Sequence, residues 1–306
     1  MIGELSALSA SALWAGASII YTRLRSEISA PVLNLFKTAS AGGLLWLTLW
    51  AMDGVVWPTQ MSLSETGWLA LSGILGLAIG DTFLFEAFGR IGPRRTLLIS
   101  ALAPAFTAVM AWPILGEPMT LTMVVGICLT GFGVTVVVAA KTPRTETASR
   151  VTSGYAFAMV AAAAQASGCI ATKLGGAHSP LELTVVRVAF GTLGLLCYLS
   201  LRIDWRAETA RLKKPHLLKP LIIAMLIGTY LGIWLQVAGL RYAPAGIAAS
   251  LSSTSPLFVI PLAALCLGDA ISKRAALGAS LAVIGIFVLC VPSLDWILEI
   301  FSSISD

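Results

Sequence analysis

The chain has 306 residues, of which 57% are hydrophobic and only 11% are charged, and its mean hydropathy is +0.88. Soluble domains carry about 25% charged residues, so this composition excludes a water-soluble globular protein. The formal net charge is +5, and its distribution along the chain indicates a basic membrane face rather than a nucleic-acid-binding site.

Ten apolar stretches follow one another, each of about 20 residues and therefore long enough to cross a hydrocarbon core of roughly 30 Å. Backbone groups in lipid must be satisfied within each stretch, so the stretches are expected to be helices. The sequence therefore predicts an all-α membrane protein with ten transmembrane helices. They are expected near residues 3–21, 31–50, 67–89, 96–115, 120–140, 152–174, 180–201, 218–241, 246–267 and 275–292.

The second half of the chain repeats the first. Residues 97–140 and 249–292 align without a gap at an offset of 152, and each copy closes a block of five predicted helices. Because five is odd, the second block must cross the bilayer in the opposite sense. We therefore predict two inverted five-helix repeats, residues 1–141 and 152–306, joined by a linker at 142–151. Inverted repeats with a site at their interface are the usual construction of a secondary transporter.

The basic residues predict the orientation of these helices. Of the 20 Lys and Arg, 16 fall in the odd-numbered loops, and only Lys173 and Arg241 fall on the other side. Cytoplasmic loops are enriched in Lys and Arg, so the odd loops and the linker are expected in the cytoplasm. We predict a multi-pass protein of the inner (plasma) membrane with both termini outside.

Paired motifs in the two halves carry a family resemblance. Each copy has a proline-containing segment, then Leu-Gly-acid, and each is preceded by a related turn. These motifs are Ser100-Ala-Leu-Ala-Pro104 and Ser255-Pro256, Leu115-Gly-Glu117 and Leu267-Gly-Asp269, and the turns at 87–93 and 238–244. The pattern resembles the EamA-type branch of the drug/metabolite transporter superfamily over nearly the whole chain.

This resemblance implies a ten-helix bundle around a central cavity, and export or exchange of small metabolites such as amino acids. The sequence departs from the family at two points. Asp269 stands where the family usually has Glu. Family members are often drawn with both termini inside, whereas the charges here place them outside.

Charged residues inside the predicted helices of the first half are candidates for function. A charge in a helix centre costs about 2.5–3.5 kcal/mol on insertion scales, so it normally faces a cavity or a partner. Lys37 and Asp81 should both lie roughly 10–12 Å from the cytoplasmic surface, and Asn34 shares a helix face with Lys37. Glu86 lies nearer the cytoplasm, four residues before Arg90. Asp81 is expected to bind a proton or a cationic substrate group; the alternative is a structural Lys37–Asp81 ion pair.

The second half offers a base without a matching acid. Arg187 occupies the place of Lys37, whereas helix 8 has Tyr230, Trp234 and Gln236 in place of an acid. Arg187 is expected to bind a substrate carboxylate, which it can do through two hydrogen bonds. The alternatives are that Arg187 bonds backbone carbonyls or pairs with Glu182. An acid in one half and an unpaired base in the other would suit a zwitterionic substrate.

Three deep polar or aromatic side chains are candidates for the cavity wall. They are Trp14 in helix 1, Gln165 in helix 6 and Trp234 in helix 8, and for each tryptophan a purely structural role is the alternative. Pro104 and Pro256 are expected to kink helices 4 and 9 and are candidate hinges. The spacing Gly76-xxx-Gly80 recurs as Gly228-xxx-Gly232 and predicts close helix contacts in both halves. Glu117 and Asp269 are expected to cap the helices that follow them.

These features favour a secondary transporter, an exporter of amino acids or related small polar metabolites that works by alternating access, with proton coupling as an option. The expected partners are the small-molecule substrate, the lipid bilayer and protons. A nucleotide-sugar or lipid-precursor carrier is the alternative, and it should have more deep cations. No GxxxxGK[ST] motif is present. The isolated histidines and the unpatterned cysteines predict neither a metal site nor a cofactor, and they disfavour a membrane enzyme. A channel is also disfavoured, because the sequence shows none of the rings of like charge that line many channels.

Overall fold

The computed structural model describes residues 2–116, 119–138, 148–200, 208, 214–242, 251–252, 254–267 and 273–290. These residues form ten apolar helices, so the predicted all-α fold is confirmed. The first five are α1 (Ile2–Leu24), α2 (Ala30–Asp53), α3 (Leu63–Ser100), α4 (Ala103–Leu115) and α5 (Leu121–Val138). The second five are α6 (Ala148–Leu174), α7 (Pro180–Ser200), α8 (Pro215–Ala224, Met225–Leu231 and Gly232–Tyr242 in succession), α9 (Ser255–Leu267) and α10 (Lys273–Cys290).

Six of the ten, α1, α2, α3, α6, α7 and α8, are long and apolar enough to cross a membrane. The other four are shorter apolar helices. Large apolar side chains cover the outer surface of the bundle; Phe132 is 60% exposed and Leu265 84% exposed. A surface of this kind is stable only against lipid, because in water an apolar patch of this size would drive association. The protein is a multi-pass membrane protein.

Local sequence explains where several helices begin and end. In α2, Pro31 occupies the first turn, where its missing N–H costs nothing, and Gly54 ends the helix at a φ of 67°. The start of α3 is a capping box. Ser62 Oγ accepts a hydrogen bond from the Glu65 backbone N–H at 3.2 Å, and Glu65 Oε2 accepts one from the Ser62 N–H at 2.8 Å.

Helix α3 is longer and more irregular than its sequence predicts. It contains a π-helical segment at Gly73–Gly80 and bends at Gly92, whose φ is 76°. The predicted boundary between helices 3 and 4, near residues 90–95, therefore falls inside α3. The physical reason is that Gly92-Pro93 redirects the chain and a new helical turn starts at once, because proline fits the first turn of a helix. The chain leaves α3 only at Ala101.

The two halves are equivalent in packing as well as in sequence. A second π-helical segment, Met225–Leu231 in α8, starts 152 residues after the first. Helix α1 packs on α8 and α9, and its counterpart α6 packs on α3 and α4. Helices α2 and α7 pack on each other, as do α5 and α10. These contacts between the halves thus come in pairs that interchange when the halves are exchanged, as expected of inverted repeats.

The α5–α10 contact shows this symmetry at the level of single atoms. A β-carbon on Gly133 would lie 2.6 Å from Gly278 O, and one on Gly285 would lie 2.9 Å from Gly126 O. These two contacts interchange when 152 is added to or subtracted from each number. Backbones come this close only where both helices present small residues.

Candidate functional site

A buried ion pair joins α2 to α3 in the first half. Lys37 Nζ donates to Asp81 Oδ2 at 2.6 Å, and the Lys37 side chain is fully inaccessible. The ammonium group also lies 5.5 Å from the centre of the Phe85 ring, within the range of a cation–π interaction. The structure therefore brings together the two charges that the sequence places at equal depth. With Lys37 bound to it, Asp81 is not an isolated acid.

The second half contributes Gln165 from α6 to the same group. Gln165 Nε2 donates to Asp81 Oδ1 at 2.8 Å and to the Gly76 carbonyl at 3.0 Å. Both carboxylate oxygens of Asp81 thus already accept hydrogen bonds. Asp81 follows directly on the π-helical segment, and its own N–H bonds back to Gly76 O. π-helical turns occur often at functional sites, because they displace the side chains that follow them.

Arg187 lies on the far side of the same glycine. Arg187 is 9% exposed, and its Nε is buried without a hydrogen-bond partner among the described residues. A β-carbon on Gly76 would lie 3.6 Å from Arg187 Nη2 and 3.7 Å from Gln165 Oε1. The predicted alternative of a Glu182 pair is not what the structure has, because Glu182 accepts instead from the Ser179 N–H at 3.1 Å.

These residues form a row of polar groups through the bundle. Hydrogen bonds link Lys37 on α2 to Asp81 on α3, Asp81 to Gln165 on α6, and Gln165 to the Gly76 carbonyl, and Arg187 on α7 lies beside Gly76. We call this set the polar chain. Two of its members belong to the second half and three to the first, so any relative movement of the halves must change it.

Asn34 stabilises the helices beside the polar chain. Its Nδ2 donates to Leu77 O at 2.7 Å and to Thr82 Oγ1 at 2.9 Å, while its Oδ1 accepts from Thr38 Oγ1 at 3.1 Å. Asn34 is fully buried. An amide with its donors and acceptor satisfied in this way holds α2 against the irregular part of α3, where π-helical backbone leaves carbonyls available.

Glu86 lies apart from Asp81, in an ion network at the end of the bundle. Glu86 Oε2 is 3.3 Å from Arg25 Nη2 and 3.6 Å from Arg90 Nε. Arg90 also donates to Ser153 Oγ at 2.8 Å and stacks 4.5 Å above the Phe157 ring. The network therefore connects the segment after α1 with α3 and α6.

The candidates on α8 have no hydrogen bond to the polar chain among the described residues. Tyr230 exchanges a hydrogen bond with Thr48 on α2 at 2.8 Å, and its ring centre is 6.1 Å from that of Trp234. Both rings pack on buried leucine and valine side chains of α2, α3 and α7. Gln236 is exposed. The structure thus gives Tyr230 and Trp234 a packing role between α2, α7 and α8.

Trp14 also packs between helices. Its ring lies 6.2 Å from Tyr21, and a β-carbon on Gly228 would lie 3.4 Å from Trp14 Cε3. Tyr21 in turn shares a hydrogen bond with Thr229 of the second π-helical segment, at 3.2 Å. The sequence pattern predicts no role for Tyr21 or Thr229, although a hydroxyl group inside an apolar helix is a signal that could have identified them.

Pro104 and Pro256 each lie in the first turn of a helix, α4 or α9. Each follows a break in the helical backbone, at Ala101–Leu102 and at Thr254. Glu117 and Asp269, predicted as helix caps, lie outside the described residues, as does most of the predicted linker at 142–151. Within the described ranges, no three His, Cys, Asp or Glu side chains are grouped as they would be around a metal ion.

Known protein families contain a match to almost the whole chain. The sequence profile of the EamA-like transporter family matches residues 1–139 and 152–291. The chain belongs to the EamA-like transporter family. Membership makes it a membrane transporter and not an enzyme, and it confirms the resemblance that the paired motifs carry. An uncharacterized transporter of Archaeoglobus fulgidus is 26% identical over 298 residues, which are 96% of this chain and 100% of that protein.

Two further matches agree with this assignment. The uncharacterized transporter YcbK of Bacillus subtilis is 29% identical over 129 residues, 41% of each protein. A solved crystal structure superimposes on this transporter with a TM-score of 0.66 and covers 94% of this chain and 95% of its own. Its sequence identity is 18%, so that likeness concerns the fold alone.

Proposed function

We propose that this transporter exports amino acids or related small polar metabolites by alternating access between its two inverted halves. The observation that carries the proposal is the polar chain. It crosses from one half to the other within the bundle, and it ends beside Arg187, whose buried Nε has no hydrogen-bond partner among the described residues. Burying such a group is expensive, and a substrate that neutralises it offsets this cost.

The charge balance of the polar chain supports a zwitterion or a monoanion as substrate. Lys37 is neutralised by Asp81 at 2.6 Å, which leaves Arg187 as the one deep cation of the described interior without a counter-ion. A single guanidinium matches one carboxylate through two hydrogen bonds. The alternative substrates, nucleotide sugars and lipid precursors, carry phosphate charges that would need further cations.

Asp81 is the proposed site of proton coupling. A proton on Asp81 would remove the charge that holds Lys37 and would weaken the acceptor of the Gln165 hydrogen bond, which is one of those that join the halves. Protonation at this one carboxyl would thereby favour separation of the halves, with Pro104 and Pro256 as the proposed bending points. The two moving units are residues 1–141 and 152–306.

We place the transporter in the inner membrane with both termini outside, following the excess of Lys and Arg in the odd loops. The ion network of Glu86, Arg25 and Arg90 then lies at the cytoplasmic end. In this arrangement the network ties α3 to α6 and to the end of α1. Export would require these contacts to part when the cavity opens to the cytoplasm.

Counterflow in proteoliposomes tests the function. Vesicles loaded with unlabelled amino acids are given a labelled panel, with and without a pH gradient. We expect one class to accumulate, and we expect Asp81→Asn to lose the response to the gradient. Asp53→Asn, an exposed carboxylate at the end of α2, is the matched control and should behave as the unmodified protein.

Accumulation of nucleotide sugars or lipid precursors instead of amino acids would show that the proposed substrate class is wrong. A gradient response that survives in Asp81→Asn would remove Asp81 as the coupling site. Flux that does not saturate and is not accelerated by internal substrate would identify a channel rather than a carrier.

A further inference from the structure

The space beside Gly76 has the properties of a binding site. Arg187 Nη2 and Gln165 Oε1 both approach the point where a side chain on Gly76 would begin, at 3.6 and 3.7 Å. The two atoms are therefore no more than about 7 Å apart, a gap that two hydrogen bonds of about 2.8 Å to one small charged group can bridge. Because residue 76 is a glycine, no side chain of α3 stands between these two atoms.

The two atoms have opposite hydrogen-bonding requirements: one donates and the other accepts. Arg187 can only donate hydrogen bonds, and its Nε has no partner among the described residues. Gln165 Oε1 can only accept, and it receives no hydrogen bond from the described part of the chain. A group that carries an acceptor and a donor side by side satisfies both, and a carboxylate with an adjacent ammonium is such a group.

Asp81 sets the orientation of the Gln165 amide. Because Gln165 Nε2 is held by Asp81 Oδ1 and by the Gly76 carbonyl, its Oε1 must point away from both. The carboxylate of Asp81 has its second oxygen on Lys37. Asp81 is therefore a positioning residue for the amide, and a substrate ammonium does not need to displace Lys37.

We propose that the charged end of the substrate binds at Gly76, with its carboxylate on Arg187 and its ammonium on Gln165 Oε1. This inference rests on the proposed function and adds the residues that determine specificity. It predicts that the transporter distinguishes free α-amino acids from derivatives that lack either charge, whatever their side chain.

The equivalent position in the other half is closed. Gly228 stands 152 residues after Gly76, and its side-chain direction is filled by Ala17 and by the Trp14 ring, with Trp14 Cε3 3.4 Å from a β-carbon there. No charged side chain borders it among the described residues. The described part of the chain therefore offers one such subsite, and Trp14 occupies the equivalent place in the other half.

Thermal stabilisation of the purified full-length protein tests the subsite. The probes are equimolar mixtures of the proteinogenic amino acids, of their N-acetyl derivatives, of their α-carboxamides and of the corresponding deaminated acids. We expect the free amino acids to raise the unfolding midpoint, while the three derivative mixtures at the same concentration do so far less. A site built to bind a polar group rejects analogues without it strongly.

Gly76→Ala is the central variant. Its new methyl group would meet Arg187, Gln165 and the Gly168 Cα at 3.6 to 3.8 Å, ordinary contact distances, so the protein should fold. We expect the affinity for the amino acids to fall by about tenfold or more. Gly43→Ala on α2, where nothing lies within 4 Å, is the matched control and should bind normally.

Gln165→Leu separates recognition of the ammonium from a merely structural role. It should lower the preference for amino acids over deaminated acids, because the ammonium loses its acceptor while Arg187 still binds the carboxylate. A structural defect would lower both affinities alike. Arg187→Gln should weaken the binding of all carboxylates.

Three results would overturn the inference: equal stabilisation by the N-acetyl or carboxamide mixtures, no stabilisation by the free amino acids, or normal binding by Gly76→Ala. Counterflow in the same preparation distinguishes the two levels of proposal. If another labelled metabolite undergoes counterflow while the amino acids do not bind, the subsite is wrong and the carrier function stands. Absence of counterflow with every metabolite would contradict the proposed function itself.

Discussion

Removal of one charge from the Lys37–Asp81 pair should cost far more stability than removal of both. Lys37 is fully inaccessible and Asp81 is 4% exposed, so neither charge can recover hydration when its partner is lost. Breaking a buried pair by removing one partner costs about 3–5 kcal/mol, whereas replacing both charges is often nearly neutral. We therefore expect Lys37→Met and Asp81→Asn each to lower the free energy of unfolding by about 3–5 kcal/mol.

The double variant Lys37→Met/Asp81→Asn should return to within about 1–2 kcal/mol of the unmodified protein. Methionine keeps the length of lysine without its charge, and asparagine keeps the shape of aspartate and can still accept from Gln165. The assay is unfolding by detergent titration in mixed micelles, analysed as a double-mutant cycle. Additive losses in the double variant, or a Lys37→Met protein as stable as the unmodified one, would refute the reasoning that the pair is desolvated.

Three further outcomes follow from the packing and the ion network. Gly133→Ala puts a methyl group against the α10 backbone at Ala282 and should cost about 1–3 kcal/mol of stability by overpacking, measured by thermal unfolding; Gly131→Ala, which meets nothing within 4 Å, should be neutral. Ser62→Ala removes the capping box of α3 and should lower stability by about 1 kcal/mol in the same assay. Glu86→Gln should change stability by no more than about 1 kcal/mol, because its partners are partly exposed, yet it should change the counterflow rate if the network must part during transport.

Much of the architecture is predictable from the chain because it depends on local or repeated properties. Helix positions follow from hydropathy, and the offset of 152 that aligns residues 97–140 with 249–292 also relates the two π-helical segments. The pairing of Lys37 with Asp81 could be predicted for a similar reason. The two residues lie on consecutive helices, and a rise of about 1.5 Å per residue gives their depths.

The sequence did not predict the contacts between helices that are far apart in the chain. Gln165 was selected only as a deep amide, since nothing in α6 indicates that it meets Asp81, 84 positions earlier. The π-helical segments were also not predicted; their backbone bonds depend on the packing of glycine-rich turns against α6 and α7. The packing of Tyr230 and Trp234 against buried aliphatic side chains was not predicted either.

By itself the sequence determined the environment, the number of helices and the inverted repeat of this transporter. These depend on the transfer free energy of whole segments and on the order of the chain, both of which are sums over many residues. Only the tertiary structure decided which buried charges are neutralised and which is left for a ligand. Lys37 on α2 and Arg187 on its counterpart α7 are both deep cations, yet one touches a carboxylate and the other has a buried Nε without a partner among the described residues. The physical reason is that hydrogen bonds and ion pairs act over a few ångströms, a precision that only the packing of helices against one another supplies.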